Sequence, residues 1–264
     1  MKKKLILSFL VFTIFFGKSF AQIDQSPEVG VIEHLGKRIP LDLKFVNDNS
    51  DTVTLKQLIN KPTILSFVYF DCPGLCSPLL EGVGSVIQKS DLELGKDYQV
   101  ITISFNFRDT PEKAKKKKTK FVERYSKGKG NGWIFLTTDS TTIFDITDAT
   151  GFKTKAVGLD FVHPSAIIAV SPDGMITRYL YGITFPSIDF KMAIIEAGKN
   201  QPRPSIQKAL LFCYSYDQEN KRYSLDVIKI AGAIIVFFIL VFIIIFLIKP
   251  KKKNQNLSND EQRG

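Results

Sequence analysis

Residues 63–76 read TILSFVYFDCPGLC, and this stretch decides the fold. Residues 63–70 form a continuous apolar, β-branched and aromatic run without polar alternation. That pattern belongs to a strand buried on both faces. The run hands over to Cys72-Pro73-Gly74-Leu75-Cys76, where Pro73 and Gly74 suit a turn and two thiols flank them. From residue 77 to 90, Leu79, Leu80, Val83, Val86 and Ile87 recur at helical spacing. A buried strand, a dithiol turn and a helix therefore follow one another without a linker.

Working outward, residues 100–107 (VITISFNF) read as a second buried strand. Asp109-Thr110-Pro111-Glu112 then offers an N-cap, a proline in the first helical turn and an early acid. The helix that follows runs to about residue 125 and carries four consecutive lysines, 115–118, expected to be a solvated face. Residues 133–136 make a short third strand, and Asp139-Ser140 opens a helix ending near Gly151. Residues 166–170 and 175–181 are strands joined by Ser171-Pro172-Asp173-Gly174, turn chemistry consistent with a hairpin. Residues 188–197 form a last helix, closed by Gly198. The lead-in, residues 22–50, is extended and turn-rich. The order β-α-β-α-β-α-β-β-α is that of an α/β, thioredoxin-like domain, a mixed central sheet with helices on both faces.

A helix N-terminus presents partial positive charge and free N–H groups, and both favour thiolate over thiol. A helix beginning near Cys72 would place Cys72 and Cys76, at i and i+4, on one face, so that two sulfurs converge. Two thiolates are a soft ligand pair, suited to Cu(I) or zinc. A structural disulfide is the alternative, although so small a loop gains little from chain entropy. The chain has only two histidines. His163 precedes Pro164 and the strand from residue 166, and in such a sheet that segment passes beside the cysteine-bearing helix. Its imidazole is thus a candidate third ligand. His34, in the polar lead-in, is expected at the surface.

The 264 residues are 44% hydrophobic and 23% charged, a globular mixture that excludes a disordered or collagen-like chain. The formal charge of +10 is mostly terminal. Lys2, Lys3, Lys4 and Lys18 carry four positive charges. Lys249, Lys251, Lys252, Lys253 and Arg263, less Asp260 and Glu261, carry three more, which leaves +3 on residues 19–248. A nucleic-acid partner is therefore not expected. Residues 1–21 have a lysine-rich start, a short apolar run and a Ser19-Phe20-Ala21 ending, the layout of a cleavable signal peptide rather than an anchor. Residues 230–248 are nineteen uncharged apolar residues, about 28 Å of helix, and the lysines after them place the C-terminus in the cytoplasm. The expected organisation is a signal peptide (1–21), an extracytoplasmic domain (22–200), a juxtamembrane linker (201–229), a transmembrane helix (230–248) and a basic cytoplasmic tail (249–264). The protein would be single-pass in the cell (inner) membrane, its main domain periplasmic or extracytoplasmic. The third thiol, Cys213, falls in the linker and is not assigned to the site.

FDCPGLC (70–76), SFNFRDTPEKA (104–114), WIFLTTD (133–139) and a downstream histidine before a strand with SPDG together resemble the Sco/SenC family. The resemblance spans roughly residues 35–200. It implies a thioredoxin-like fold binding one copper ion, Cu(I) or Cu(II), through Cys72, Cys76 and His163. It also implies a role in assembling the dinuclear copper centre of cytochrome c oxidase subunit II, by copper delivery, by reduction of that site's cysteines, or by both. A copper donor protein or a thiol–disulfide reductase would be further partners. Two departures stand out. Val162 occupies the place where many members carry an acid just before the histidine, and Asp160 is the nearest acid here. The expected anchor is C-terminal, whereas many members have an N-terminal one. The alternative function is a thiol–disulfide oxidoreductase, or a thiol peroxidase, in which Cys72 attacks and Cys76 resolves.

Overall fold

The computed structural model describes residues 28–72, 74–125, 132–158, 160–204, 214–217, 222–225, 232 and 235–242. The chain divides into two compact units, Met1–Ser205 and Ile206–Gly264.

The first unit opens with β1 (Gly30–Val31), β2 (Lys44–Asn47), β3 (Thr52–Thr54) and the one-turn helix α1 (Leu55–Leu58). The expected run follows: β4 (Thr63–Val68), α2 (Cys76–Lys89), β5 (Gln99–Ser104), α3 (Pro111–Tyr125), β6 (Trp133–Thr137) and α4 (Ser140–Ala149). Three short strands come next, β7 (Phe152–Lys153), β8 (Lys155–Val157) and β9 (Asp160–Val162). The unit closes with β10 (Ala166–Val170), β11 (Ile176–Tyr181) and α5 (Ser187–Gly198).

Seven strands form the central sheet in the order β11-β10-β4-β5-β6-β2-β3. β4, β5 and β6 are parallel, while β10 and β2 add antiparallel on either side. Every residue of β4, β5 and β10 is buried, as an unbroken apolar run requires. Ile64, Leu65, Phe67 and Val68 are each at most 1% exposed, and side chains of this size contribute about 1.5–3 kcal/mol apiece when fully buried. The polar residues in these strands bond to one another. Ser66 and Thr102 hydroxyls meet at 2.8 Å, and Trp133 Nε1 donates to Thr102 Oγ1 at 2.9 Å. This chain crosses three strands and favours one register, because a slip would leave buried polar atoms without partners.

One feature positions the site. β10 runs antiparallel beside β4, with Ile167 opposite Ser66. The residues leading into β10 are therefore carried to the end of the sheet where β4 delivers its cysteines. Nearby, Gly82 lets α2 approach the segment after β11, since a Cβ there would sit 1.9 Å from the Ile183 carbonyl oxygen.

Several local expectations change. Helix α2 begins at Cys76, with Leu75 as N-cap, rather than near Cys72. The expected start of α3 holds through Thr110, whose Oγ1 accepts from the Lys113 N–H at 3.5 Å, and Asp109 takes another part. Its buried side chain instead accepts from the Phe70 amide and the Ser104 hydroxyl, both at 2.7 Å, which ties the ends of β4 and β5 together. The lysine run is not uniformly solvated. Lys115 and Lys116 are exposed, but Lys117 turns inward to the Phe70 carbonyl at 2.7 Å and Lys118 pairs with Asp48 at 2.9 Å. His34 is half-buried rather than superficial; its backbone N–H donates to the Tyr179 hydroxyl and its Nδ1 meets the Ala149 carbonyl at 3.0 Å.

In the second unit, β12 (Tyr214–Asp217) pairs antiparallel with β13 (Arg222–Leu225), a hairpin inside the stretch expected to be linker. Among the described residues no helix is long and apolar enough to cross a membrane. Of the expected span 230–248, residues 232 and 235–242 are described, and they are helical. The expected signal peptide, Cys213 and the basic tail lie outside the described residues.

Candidate metal centre

Cys72, Cys76 and His163 meet at one point. Their donor atoms, two Sγ and one imidazole nitrogen, all lie within 4.8 Å of one another. Both cysteines are free thiols, so the structure holds no disulfide between them.

Each donor arrives by a different route. Cys72 sits in the turn after β4, where its N–H bonds the Tyr69 carbonyl at 3.3 Å. Cys76 is the first residue of α2 and is completely buried. The two sulfurs therefore converge across a turn that leads into a helix, not along one helical face. His163, 9% exposed, follows β9, and its peptide bond to Pro164 is trans. Solvent reaches the site chiefly at Cys72, the least buried of the three.

Burial, backbone groups and neighbouring side chains together set the electronic state of each donor. The His163 Nδ1 lies 3.0 Å from the Pro164 carbonyl, which can only accept, so the ring proton belongs on Nδ1. Nε2 is then left with its lone pair facing Cys76 Sγ at 3.5 Å. Burial lowers the His163 pKa, opposed by the Pro164 bond, and keeps the imidazole neutral as a ligand must be. The two thiols diverge. Burial works to raise Cys72, but the Cys76 N–H and thiol, the Gly74 N–H at 3.3 Å and the Tyr69 hydroxyl outweigh it, and its pKa is lowered. Burial pushes Cys76 strongly upward despite the Tyr69 N–H bonded to its sulfur at 3.4 Å. One thiol is thus partly open and acidic, and the other is enclosed and weakly acidic.

An aromatic box surrounds the histidine. The Phe105 ring lies 5.1 Å from the imidazole and Tyr69 stands edge-on to it at 6.4 Å. Phe161 packs on both, at 5.5 and 5.4 Å. Tyr69 also donates its hydroxyl to Asp160 Oδ1 at 2.9 Å, so the acid nearest the histidine in sequence holds a neighbouring side chain instead of the imidazole. Sequence reading did not single out Tyr69, Phe105, Phe161 or Lys117. The aromatic residues at the ends of the apolar runs and the lysine four positions after Lys113 were the available signals.

The donor set fits a soft ion. Bonds of about 2.0–2.3 Å to nitrogen and sulfur leave ligand atoms roughly 3.5–4 Å apart around a shared metal. The observed spacing approaches that without a large rearrangement, and neutral Nε2 faces inward. The same geometry also suits an attacking and a resolving thiol.

The SCO1/SenC family model matches residues 34–195. The SCO1 protein homolog of Bacillus subtilis (strain 168) is 27% identical over 143 residues, 53% of this chain and 72% of the homolog. A solved structure from Aquifex aeolicus VF5, provisionally described as an electron transfer protein, is 32% identical with a TM-score of 0.56, covering 62% of this chain and 95% of that one. A SCO1/SenC family lipoprotein from Bacillus anthracis str. Ames shares the fold at 17% identity and a TM-score of 0.53, covering 64% of this chain and 99% of its own. With the family match extending over more than half of its length, and with a cysteine pair and distal histidine gathered at the end of its sheet, this chain belongs to the SCO1/SenC family.

Proposed function

We propose that the chain is a membrane-tethered copper chaperone whose cargo is one copper ion held by Cys72, Cys76 and His163. It would deliver that ion to the dinuclear copper centre of cytochrome c oxidase subunit II. The observation that carries this reading is the meeting of three soft donors within 4.8 Å. Two thiolates and a neutral imidazole favour Cu(I), and a three-coordinate ion leaves room for an incoming thiolate. Cys72, the accessible donor, is the first to be exchanged, while enclosed Cys76 and His163 retain the ion until the acceptor's ligands close on it. The expected export signal and C-terminal helix would hold the domain on the outer face of the membrane that carries the oxidase, which confines the search for that partner.

Copper titration of the reduced exported region, residues 22–226, with X-ray absorption at the copper edge tests the proposal. One ion per chain with two sulfur ligands and one nitrogen ligand is expected. Unchanged affinity in His163→Ala would remove the third ligand and with it this coordination scheme.

A second reading rests on the contrast between the thiols. An accessible, acidic Cys72 beside an enclosed, weakly acidic Cys76 is the arrangement of an attacking and a resolving cysteine, suited to reducing the same oxidase cysteines. Turnover of a disulfide substrate without copper, together with negligible copper binding, would favour it over delivery.

A further inference from the structure

Large apolar side chains stand in solvent around the mouth of the site. Leu75 lies between the two cysteines in sequence, and Val162 immediately precedes His163. Phe107 comes two residues after Phe105, whose ring is 5.1 Å from the imidazole. Leu75, Phe107 and Val162 are 49%, 59% and 49% exposed, on three separate segments that meet at the metal centre. Exposed apolar side chains gathered in one place and edged by polar groups mark a contact surface. Helix α3 supplies charge on one flank. Lys113 pairs with Asp71 and Lys117 donates to the Phe70 carbonyl at 2.7 Å, which lays the start of α3 against the cysteine loop. Lys116 and Lys120 each follow one of these by three positions and so lie beside them on the helix surface. Both are exposed, and neither has a carboxylate within ion-pairing distance among the described residues. With Glu112, Lys115 and Thr119 they line a groove of about 470 Å³, three ammoniums against one carboxylate. Lys116 and Lys120 also repel each other at i and i+4, a cost that a bound anion relieves.

We propose that this end of the domain is the docking face for the protein that exchanges ligands with Cys72. Leu75, Phe107 and Val162 form its apolar centre and Lys116 and Lys120 its basic flank. The partner answers with an apolar patch edged by carboxylates around its own thiols. An apolar centre with a charged rim is the common anatomy of a protein contact. An incoming thiolate bonds to the ion only once the two surfaces touch, so an occupant that reaches Cys72 covers these side chains. A second copy of this chain brings the same unanswered lysines and fits less well. The patch is small, so the contact is transient, as handover of cargo requires. The proposal deepens the chaperone reading and rests on it for the partner, oxidase subunit II.

The test uses the full chain in detergent micelles, with Phe107→Ser to remove the apolar centre and Lys116→Glu with Lys120→Glu to reverse the flank. Thermal melting verifies folding. The probe is the copper-free soluble domain of cytochrome c oxidase subunit II with its cysteines reduced. Titrated without metal, each variant should bind it about tenfold more weakly than wild type. At about 0.5 M salt the defect of the lysine reversal should shrink, while that of Phe107→Ser persists. Cu(I) handover to the domain should slow by the same factors. Handover to a small Cu(I) chelator, which needs no docking, should keep the wild-type rate. Wild-type affinity in both variants, or no binding by wild type, would overturn the proposal. Equal slowing toward the chelator would also overturn it, by placing these residues in the site itself. Sedimentation showing that the chain pairs with itself through Phe107 would make a second copy the occupant and overturn the partner assigned. A wild type that binds the domain through these residues but hands over no copper would overturn delivery instead and uphold the docking face.

Discussion

The two halves of the site are built differently. The cysteine half rests on the sheet. β4 and β5 are wholly buried, Asp109 joins their ends, Lys117 holds the Phe70 carbonyl and the Tyr69 amide holds Cys76 Sγ. The histidine half rests on β8 and β9, which pair with each other in a separate two-stranded sheet, and of whose described residues only Phe161 is shielded from solvent. That arm is fastened by Phe161 against Tyr69 and Phe105 and by the Asp160–Tyr69 hydrogen bond. The difference teaches that the thiols rest on the sheet from one side, while the buried imidazole stands between the buried strand β10 that follows it and a lightly held arm that precedes it. In the proposed chaperone the accessible Cys72 exchanges first, and the arm before His163 can yield afterwards without disturbing the core.

The largest expected contrast is in hydrogen exchange. Amides of β8 and β9 should exchange by local opening about a thousandfold faster than those of β4 and β5, measured by mass spectrometry of the whole chain. Equal protection in the two regions would break the comparison outright. Next comes Asp109→Ala, which leaves the Phe70 amide and Ser104 hydroxyl without their acceptor in a buried setting. It should cost about 3 kcal/mol in denaturant unfolding. Smaller again is Phe161→Ala, which should weaken copper binding roughly tenfold while lowering global stability by only about 1 kcal/mol, because its ring fastens the arm more than the core. A stability loss as large as that of Asp109→Ala would make the arm part of the core. The smallest effect on stability belongs to Tyr69→Phe, which removes the bond to Asp160 along with the hydroxyl that favours the Cys72 thiolate, and should cost about 1 kcal/mol or less, with faster exchange in β9.

Much of the fold was legible because periodicity is a local property. The unbroken apolar runs of β4 and β5, the helical spacing of Leu79, Leu80, Val83, Val86 and Ile87, and the Ser171–Gly174 turn each report their own neighbourhood, and each lies where its pattern put it. The short strands β7, β8 and β9 were missed because two or three residues carry no periodicity, and their pairing depends on where distant segments lie. The part Asp109 plays was hidden for a similar reason. An acid before Thr-Pro-Glu has the local chemistry of a cap, yet the neighbouring strand ends offer it a buried amide and hydroxyl. Lys117 was hidden in a lysine run whose members differ only in the side of the helix they occupy.

The amino-acid order alone determined that a buried strand runs straight into a dithiol turn and a helix, because side-chain size, branching and turn chemistry act over a few residues. It also supplied three soft donors, and nothing local could state that they meet. That was decided by tertiary structure: β10 lies antiparallel against β4, which brings residue 163 beside residues 72 and 76. Packing likewise separated the two thiols, enclosing one and leaving the other open, since burial depends on what the rest of the chain places around each sulfur.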